Sequence, residues 1–267
     1  MEIRHTSTPE VPRLCRSACT EPKTAARVPA SSLFFGKECS GLDSKMNRVC
    51  IFGDSIAKGV VMDANNKYVF LKDSFVSLIQ RAYSFAVENF ARFGCTIERG
   101  CSMVDKCSDE ISTSDVTVLE FGGNDCDFDW SAVAADPSLP HECKTPLDKF
   151  TKTYEDLVKH VRSLKSRPVI MSLPPIDAER YFAHISKGLN SDNILKFIGD
   201  VQHIARWQEM YNIAVLNIAK KCDVEVLDTR TAFLLRPDFR DYICEDGIHP
   251  NAKGHELIYS TLRKQLA

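Results

Sequence analysis

Three things are scarce in this sequence, and each scarcity argues against a class of protein. No apolar run approaches the ~18–20 residues that a helix needs to cross a bilayer, so no stable membrane anchor is expected. Positive charge is not in excess either. The chain has 34 Lys and Arg against 36 Asp and Glu, a formal net charge of -2, which disfavours nucleic acid and anionic membranes as partners. Finally, the eleven cysteines are irregularly spaced and include no Cys-x-x-Cys, and no N-terminal stretch has the layout of a secretory signal. Reduced thiols in a cytoplasmic protein fit that pattern. Structural zinc has no convincing ligand set, because Cys15-x3-Cys19 and Cys101-x5-Cys107 lack partners.

What is present is enough material for a packed core: 267 residues, 44% of them hydrophobic and 26% charged, near average globular usage. The first 45 residues read differently, with four Pro, two Gly, ten Ser or Thr and no sustained period. Residues 1–45 are therefore expected to be a disordered leader or upstream extension, and residues 46–267 a single folded domain opening at Met46. Charge divides at the same place, with 7 basic and 5 acidic residues before Met46 and 27 and 31 from it onward.

From Met46, short apolar runs alternate with amphipathic stretches, the pattern of repeated strand–helix crossover units. Five strands are predicted, at Arg48–Gly53, Phe85–Arg92, Val116–Phe121, Pro168–Leu173 and Val224–Asp228. Leu147, Phe150, Tyr154, Leu157, Val161 and Leu164 repeat at helical steps, with Thr145, Pro146 and Asp148 placed as N-cap, N1 and N3. Further helical stripes run through Phe75, Ile79 and Ala82, then Ile204 to Ile218, then Leu257 to Leu262. The expected architecture is an α/β/α sandwich of three layers around a five-stranded parallel sheet. Such sheets bind ligands beyond the carboxyl ends of their strands, so chemistry is sought there.

Three segments at those ends carry it. Phe52-Gly53-Asp54-Ser55 sets a serine on a glycine-bearing turn after the first strand. It is no phosphate loop, since Lys58 precedes Gly59 and no Ser or Thr follows. Gly122-Gly123-Asn124-Asp125 follows the third strand, where Asn124 either fixes a turn or aims its amide donor into the crevice. Asp246-Gly247-Ile248-His249-Pro250 places a carboxylate three residues before an imidazole, with Pro250 suited to N1 of the last helix. A tight turn there would let Asp246 orient His249 and leave Nε2 free to accept a proton from Ser55; the plainer reading is a helix cap.

Together these blocks resemble the SGNH branch of the GDSL family of serine hydrolases, over residues 46–267 and in the family's order. The resemblance implies a flavodoxin-like sandwich and a triad of Ser55, Asp246 and His249. It also implies an oxyanion hole formed by the Ser55 and Gly94 backbone N–H groups and the Asn124 side chain. An α/β-hydrolase elbow needs Gly-x-Ser-x-Gly, which Gly53-Asp54-Ser55-Ile56-Ala57 does not supply.

The implied activity is cleavage of a carboxylic ester through an acyl-enzyme on Ser55, without metal or organic cofactor. The substrate is expected to be a small-molecule ester, with acylated carbohydrate as one candidate. The alternatives are acyl transfer by the same triad and a non-catalytic ligand-binding module.

Asp54, Asp125, Trp130, Arg180 and Tyr181 stand as substrate-side candidates. For Arg180 and Tyr181, loop packing is the equal alternative. The long connection from Cys126 to Leu147 is read as an active-site wall or a surface excursion. Its alternating Asp125, Asp127 and Asp129 make a poor calcium loop, because Trp130 stands where glycine is needed. Cys95 and Cys126 flank the crevice blocks as possible points of obstruction by bulky thiol reagents, not as nucleophiles. The sequence carries no signal for oligomeric state.

Overall fold

Alternation decides which side of the sheet each core residue faces. In strand β1 (Arg48–Gly53), Val49 and Ile51 point to one layer while Cys50 and Phe52 point to the other. The computed structural model describes residues 46–266; the leader expected over residues 1–45 lies outside the described residues. The strands that follow are β2 (Val60–Met62), β3 (Tyr68–Phe70), β4 (Ala86–Asn89), β5 (Val116–Glu120), β6 (Arg167–Met171) and β7 (Glu225–Leu227). Five of them form one sheet in the order β4-β1-β5-β6-β7, every pairing parallel.

One layer is packed by the Phe75–Ala82 and Ala252–Gln265 helices, whose Phe75, Ile79, Ile258 and Leu262 meet Val49, Ile51, Val118 and Met171. The other layer is built by the Ile97–Lys106, Leu147–Ser163 and His203–Cys222 helices. Their Ile97, Phe150, Tyr154 and Tyr211 are buried against Phe52, Leu119 and Ile170. Burying each such side chain contributes about 1.5–3 kcal/mol, so this double-sided burial is what fixes the sheet.

All five expected core strands are present, four of them shorter than read, with Val116–Phe121 ending one residue early at Glu120. Phe85–Arg92 contracts to Ala86–Asn89, although Phe90 and Arg92 still donate to the Ile51 and Gly53 carbonyls at 2.8 and 3.0 Å. Pro168–Leu173 shifts to Arg167–Met171 and Val224–Asp228 shrinks to Glu225–Leu227. Two helix starts differ. The Leu147–Ser163 helix has Pro146 at its N-cap and no side-chain cap, and the Thr145 N–H donates to the Asp125 carbonyl at 3.0 Å. The last helix begins at Ala252 with Asn251 as its cap, so Pro250 precedes the helix and pairs with Ile243 instead.

Two features carried no clear sequence signal. An antiparallel hairpin of β2 and β3 stands outside the main sheet. A third apolar cluster gathers Val133, Tyr181, Ile194, Ile198 and Ile204 from short helices at Trp130–Ala135, Ala178–Ile185 and Ser191–Ile198 and from the start of His203–Cys222. Among the described residues, no helix is long and apolar enough to cross a membrane.

Candidate active site

Strand register brings the first two blocks together. Gly53 pairs with Glu120, so β1 and β5 end at one level and the chain beyond each enters the same crevice. Ser55 opens a four-residue helix whose N-cap is Asp54, with Asp54 Oδ1 accepting from the Ile56 N–H at 2.8 Å. Gly59 ends that helix at φ 81°, a left-handed position that favours glycine. The Arg92 bond to Gly53 brings the chain at Phe93 and Gly94 to the same end of β1.

The third block arrives on a tight turn. Gly247 donates to the Cys244 carbonyl at 3.0 Å and Cys244 to the His249 carbonyl at 2.8 Å, closing the loop below Asp246 and His249. Gly247 has φ 80°, and a Cβ there would lie 2.4 Å from the Tyr181 nitrogen, so no side chain fits. Asp246 Oδ1 accepts the Ile248 and His249 N–H groups, each at 3.1 Å.

The result is a continuous hydrogen-bonded chain. His249 Nδ1 lies 2.6 Å from Asp246 Oδ2, and His249 Nε2 lies 2.8 Å from Ser55 Oγ. All three residues are buried, Asp246 completely. Burial alone would raise the Asp246 pKa; the His249 hydrogen bond and charge and the two amides outweigh it and hold the carboxylate below its ordinary value. An ionised Asp246 favours the tautomer with hydrogen on Nδ1, leaving the Nε2 lone pair toward Ser55.

The strand-end blocks carry three donors. Neither the Ser55 nor the Gly94 backbone N–H has an acceptor among the described residues, and Gly94 takes φ 67° with open space where a side chain would stand. Asn124 Nδ2 gives one hydrogen to Asp54 Oδ2 at 2.8 Å, which aims the amide and leaves its second hydrogen free. Asp54 itself is buried, and desolvation raises its pKa against the hydrogen bonds from Ile56, Glu120 and Asn124. Its observed work is to hold Ile56 and Asn124.

The remaining candidates separate cleanly. Asp125 is fully buried outside the crevice, where Oδ1 accepts the Ile97 N–H at 3.0 Å at the start of a helix; burial raises its pKa to about 6. Arg180 is also away from the crevice, donating to the Arg240 and Ile243 carbonyls at 2.8 and 3.0 Å and pairing with Asp177. Neither residue lines the crevice, and for Arg180 these contacts are those of the loop-packing alternative. Trp130 and Tyr181 do line the crevice. Both donate to Asp127 Oδ1, at 2.7 and 2.6 Å, and Asp129 caps the Trp130–Ala135 helix, so the alternating aspartates are structural. Cys126 lines the crevice while Cys95 is fully buried outside it; burial raises both thiol pKa values, Cys95 to about 11.

Sequence reasoning missed several neighbours. Tyr68 from the β2–β3 hairpin packs its ring 5.2 Å from that of His249, and Phe93 stacks on the same imidazole at 6.1 Å. Phe128, Phe197, Ile204 and Trp207 line a cavity of about 160 Å³ that opens onto Ser55 and His249. The heptad-like apolar steps around Ile204 and Trp207 were visible, but core packing explains them equally well.

Comparison with known proteins gives both relatives and a family. A GDSL esterase/lipase of Oryza sativa subsp. japonica is 24% identical over 65% of this chain and 62% of its own length. The isoamyl acetate-hydrolyzing esterase 1 homolog of Mus musculus is 26% identical over 55% and 53%. The chain thus spans little more than half the length of these relatives. The crystal structure of a lipase/acylhydrolase from Enterococcus faecalis shares the fold, with a TM-score of 0.59 at 20% identity over 82% of this chain and 95% of that one. The family model of GDSL-like lipases and acylhydrolases matches residues 51–257, from inside β1 to the last helix and across all the strand-end blocks, and this chain belongs to that family.

Proposed function

We propose that the chain hydrolyses small carboxylic esters through an acyl-enzyme on Ser55. The observation that carries this is the unbroken Ser55–His249–Asp246 chain of 2.8 and 2.6 Å bonds at the mouth of a cavity. A serine hydroxyl is a weak nucleophile near neutral pH; a bonded imidazole base overcomes that. Ser55 Oγ attacks the ester carbonyl carbon and its proton passes to His249 Nε2. The carbonyl oxygen, now negative, takes hydrogen bonds from the Ser55 and Gly94 N–H groups and Asn124 Nδ2. Collapse breaks the bond to the alcohol oxygen, which leaves with the proton from Nε2. Water then attacks the acyl carbon, its proton going to Nε2, and collapse returns that proton to Ser55 Oγ as the acid departs. Asp246 steadies the imidazolium formed in each half.

Family membership and the esterase names of its relatives support a small-molecule ester as substrate. The eight cysteines among the described residues are free thiols, which supports a reducing compartment such as the cytoplasm. The test is labelling by a fluorophosphonate probe. Labelling of the wild type that disappears in Ser55→Ala supports the reading; a folded wild type that does not label overturns it.

A further inference from the structure

The cavity beside Ser55 is walled by Phe128, Ile176, Phe197, Ile198 and Ile204, with Ser55, Asn124 and His249 at one end. Its wall also contains polar side chains, but apart from the exposed His203 their polar atoms are engaged elsewhere. Trp130 Nε1 and the Tyr181 hydroxyl both donate to Asp127 Oδ1, while Lys144 binds Asp127 Oδ2 from outside at 2.8 Å. Trp207 Nε1 donates to the Cys126 carbonyl at 2.9 Å. Gln208 gives its amide to the Pro174 carbonyl at 2.9 Å and accepts from Arg230 at 3.0 Å. His203, exposed at the rim, stacks on Trp207. A hydroxyl-rich group entering here would lose water and find few replacement partners, which costs about 1–3 kcal/mol for each unsatisfied group. A hydrocarbon group loses nothing of that kind.

Size narrows the choice. An apolar cavity of about 150 Å³ lined by Leu, Ile and Phe holds benzene. At about 160 Å³, a volume that includes the open space over Ser55 and His249, this one admits a group of up to about six carbons. We infer that the substrate carries a hydrocarbon group of about six carbons, on its acyl or its alcohol side, and that this group fills the aromatic cavity. The inference rests on the esterase reading above for the word substrate, but binding can be read without turnover. It disfavours acylated carbohydrate, whose hydroxyls the wall does not serve.

The chain's two tryptophans, Trp130 and Trp207, both line the cavity, so intrinsic fluorescence reports its occupancy. Full-length Ser55→Ala protein is titrated with methyl acetate, methyl hexanoate, hexyl acetate and an acetylated monosaccharide. Each added methylene that is buried should tighten binding about fourfold. At least one six-carbon ester should therefore saturate at a concentration more than tenfold below methyl acetate, and which one does so identifies the side that enters. Ile204→Phe, which fills the cavity, should reduce that preference. Equal binding of all three simple esters, or tighter binding of the acetylated sugar, overturns the inference. Six-carbon selectivity in Ser55→Ala together with a folded wild type that the fluorophosphonate probe does not label would instead sink the esterase reading and leave the cavity assignment standing.

Discussion

Asn124 Nδ2 donates to Asp54 Oδ2 at 2.8 Å, so the amide beyond β5 is held by the residue that precedes Ser55. The proposed oxyanion donor and the proposed nucleophile are thereby tied to one carboxylate. Removing an oxyanion donor of this kind slows the chemical step by about 10²–10³. Asn124→Ala should lower kcat by that factor while leaving KM and the melting temperature close to wild type. Near-normal ester turnover in the purified variant would remove Asn124 from the proposed mechanism.

Glu120 lies fully buried behind that pair, with Oε2 accepting the Asp54 N–H at 3.0 Å. Desolvation, then the neighbouring Asp54 charge, pushes its carboxyl well above the usual carboxylate range. A raised folded-state pKa contributes stability that is complete below the unfolded value and is lost as pH rises through the folded one. Glu120→Gln, neutral at every pH, should fold and show a flatter alkaline limb when melting temperature is followed against pH. Glu120→Ala should cost about 2–4 kcal/mol, because it opens a cavity and orphans the Asp54 N–H. An alkaline limb unchanged by Glu120→Gln would show that the carboxyl is not the group titrating there.

His255 predicts the opposite limb. It is fully buried, stacks on Phe75 and accepts the Phe75 N–H through Nδ1 at 3.4 Å. Burial, with the nearby His249, lowers its pKa from 6.5 to about 4. A depressed folded-state pKa gives stability that is present above the unfolded value and lost as pH falls through the folded one, here between 6.5 and about 4. The loss amounts to about 3 kcal/mol on that shift. His255→Asn keeps an acceptor for Phe75 without the titration. Chemical denaturation at a series of pH values should show a shallower acid decline in the variant; parallel declines would count against His255.

Residues whose role depends on chain-local spacing were legible in the sequence. Asp246 and His249 sit three apart on a turn that glycine forces, and Asp54-Ser55 follows an unmistakable buried strand. Alternation in β1 and the helical steps from Leu147 to Val161 gave the layers. What was not legible depends on partners distant in sequence. Asp125 and Asp54 are both carboxylates at strand ends, yet one binds the Ile97 amide and the other Asn124. Arg180 reads as a free cation until Arg240 and Ile243 supply carbonyls for it. Short helices such as Trp130–Ala135 and Ser191–Ile198 have too few turns to declare a period, so the cavity they wall was hidden.

The origin of those walls has a further consequence. Ser55, Asn124 and His249 stand directly on strand ends or on the turn before the last helix, while the cavity draws on the Cys126–Leu147 excursion and the helices between β6 and β7. The same division holds at the entrance, where Tyr68 comes from a hairpin inserted between β1 and β4. On the proposed mechanism, reaction and selectivity are thus encoded in separable stretches of chain, so exchanging the inserted segments would be a route to new ester preferences on an unaltered sheet.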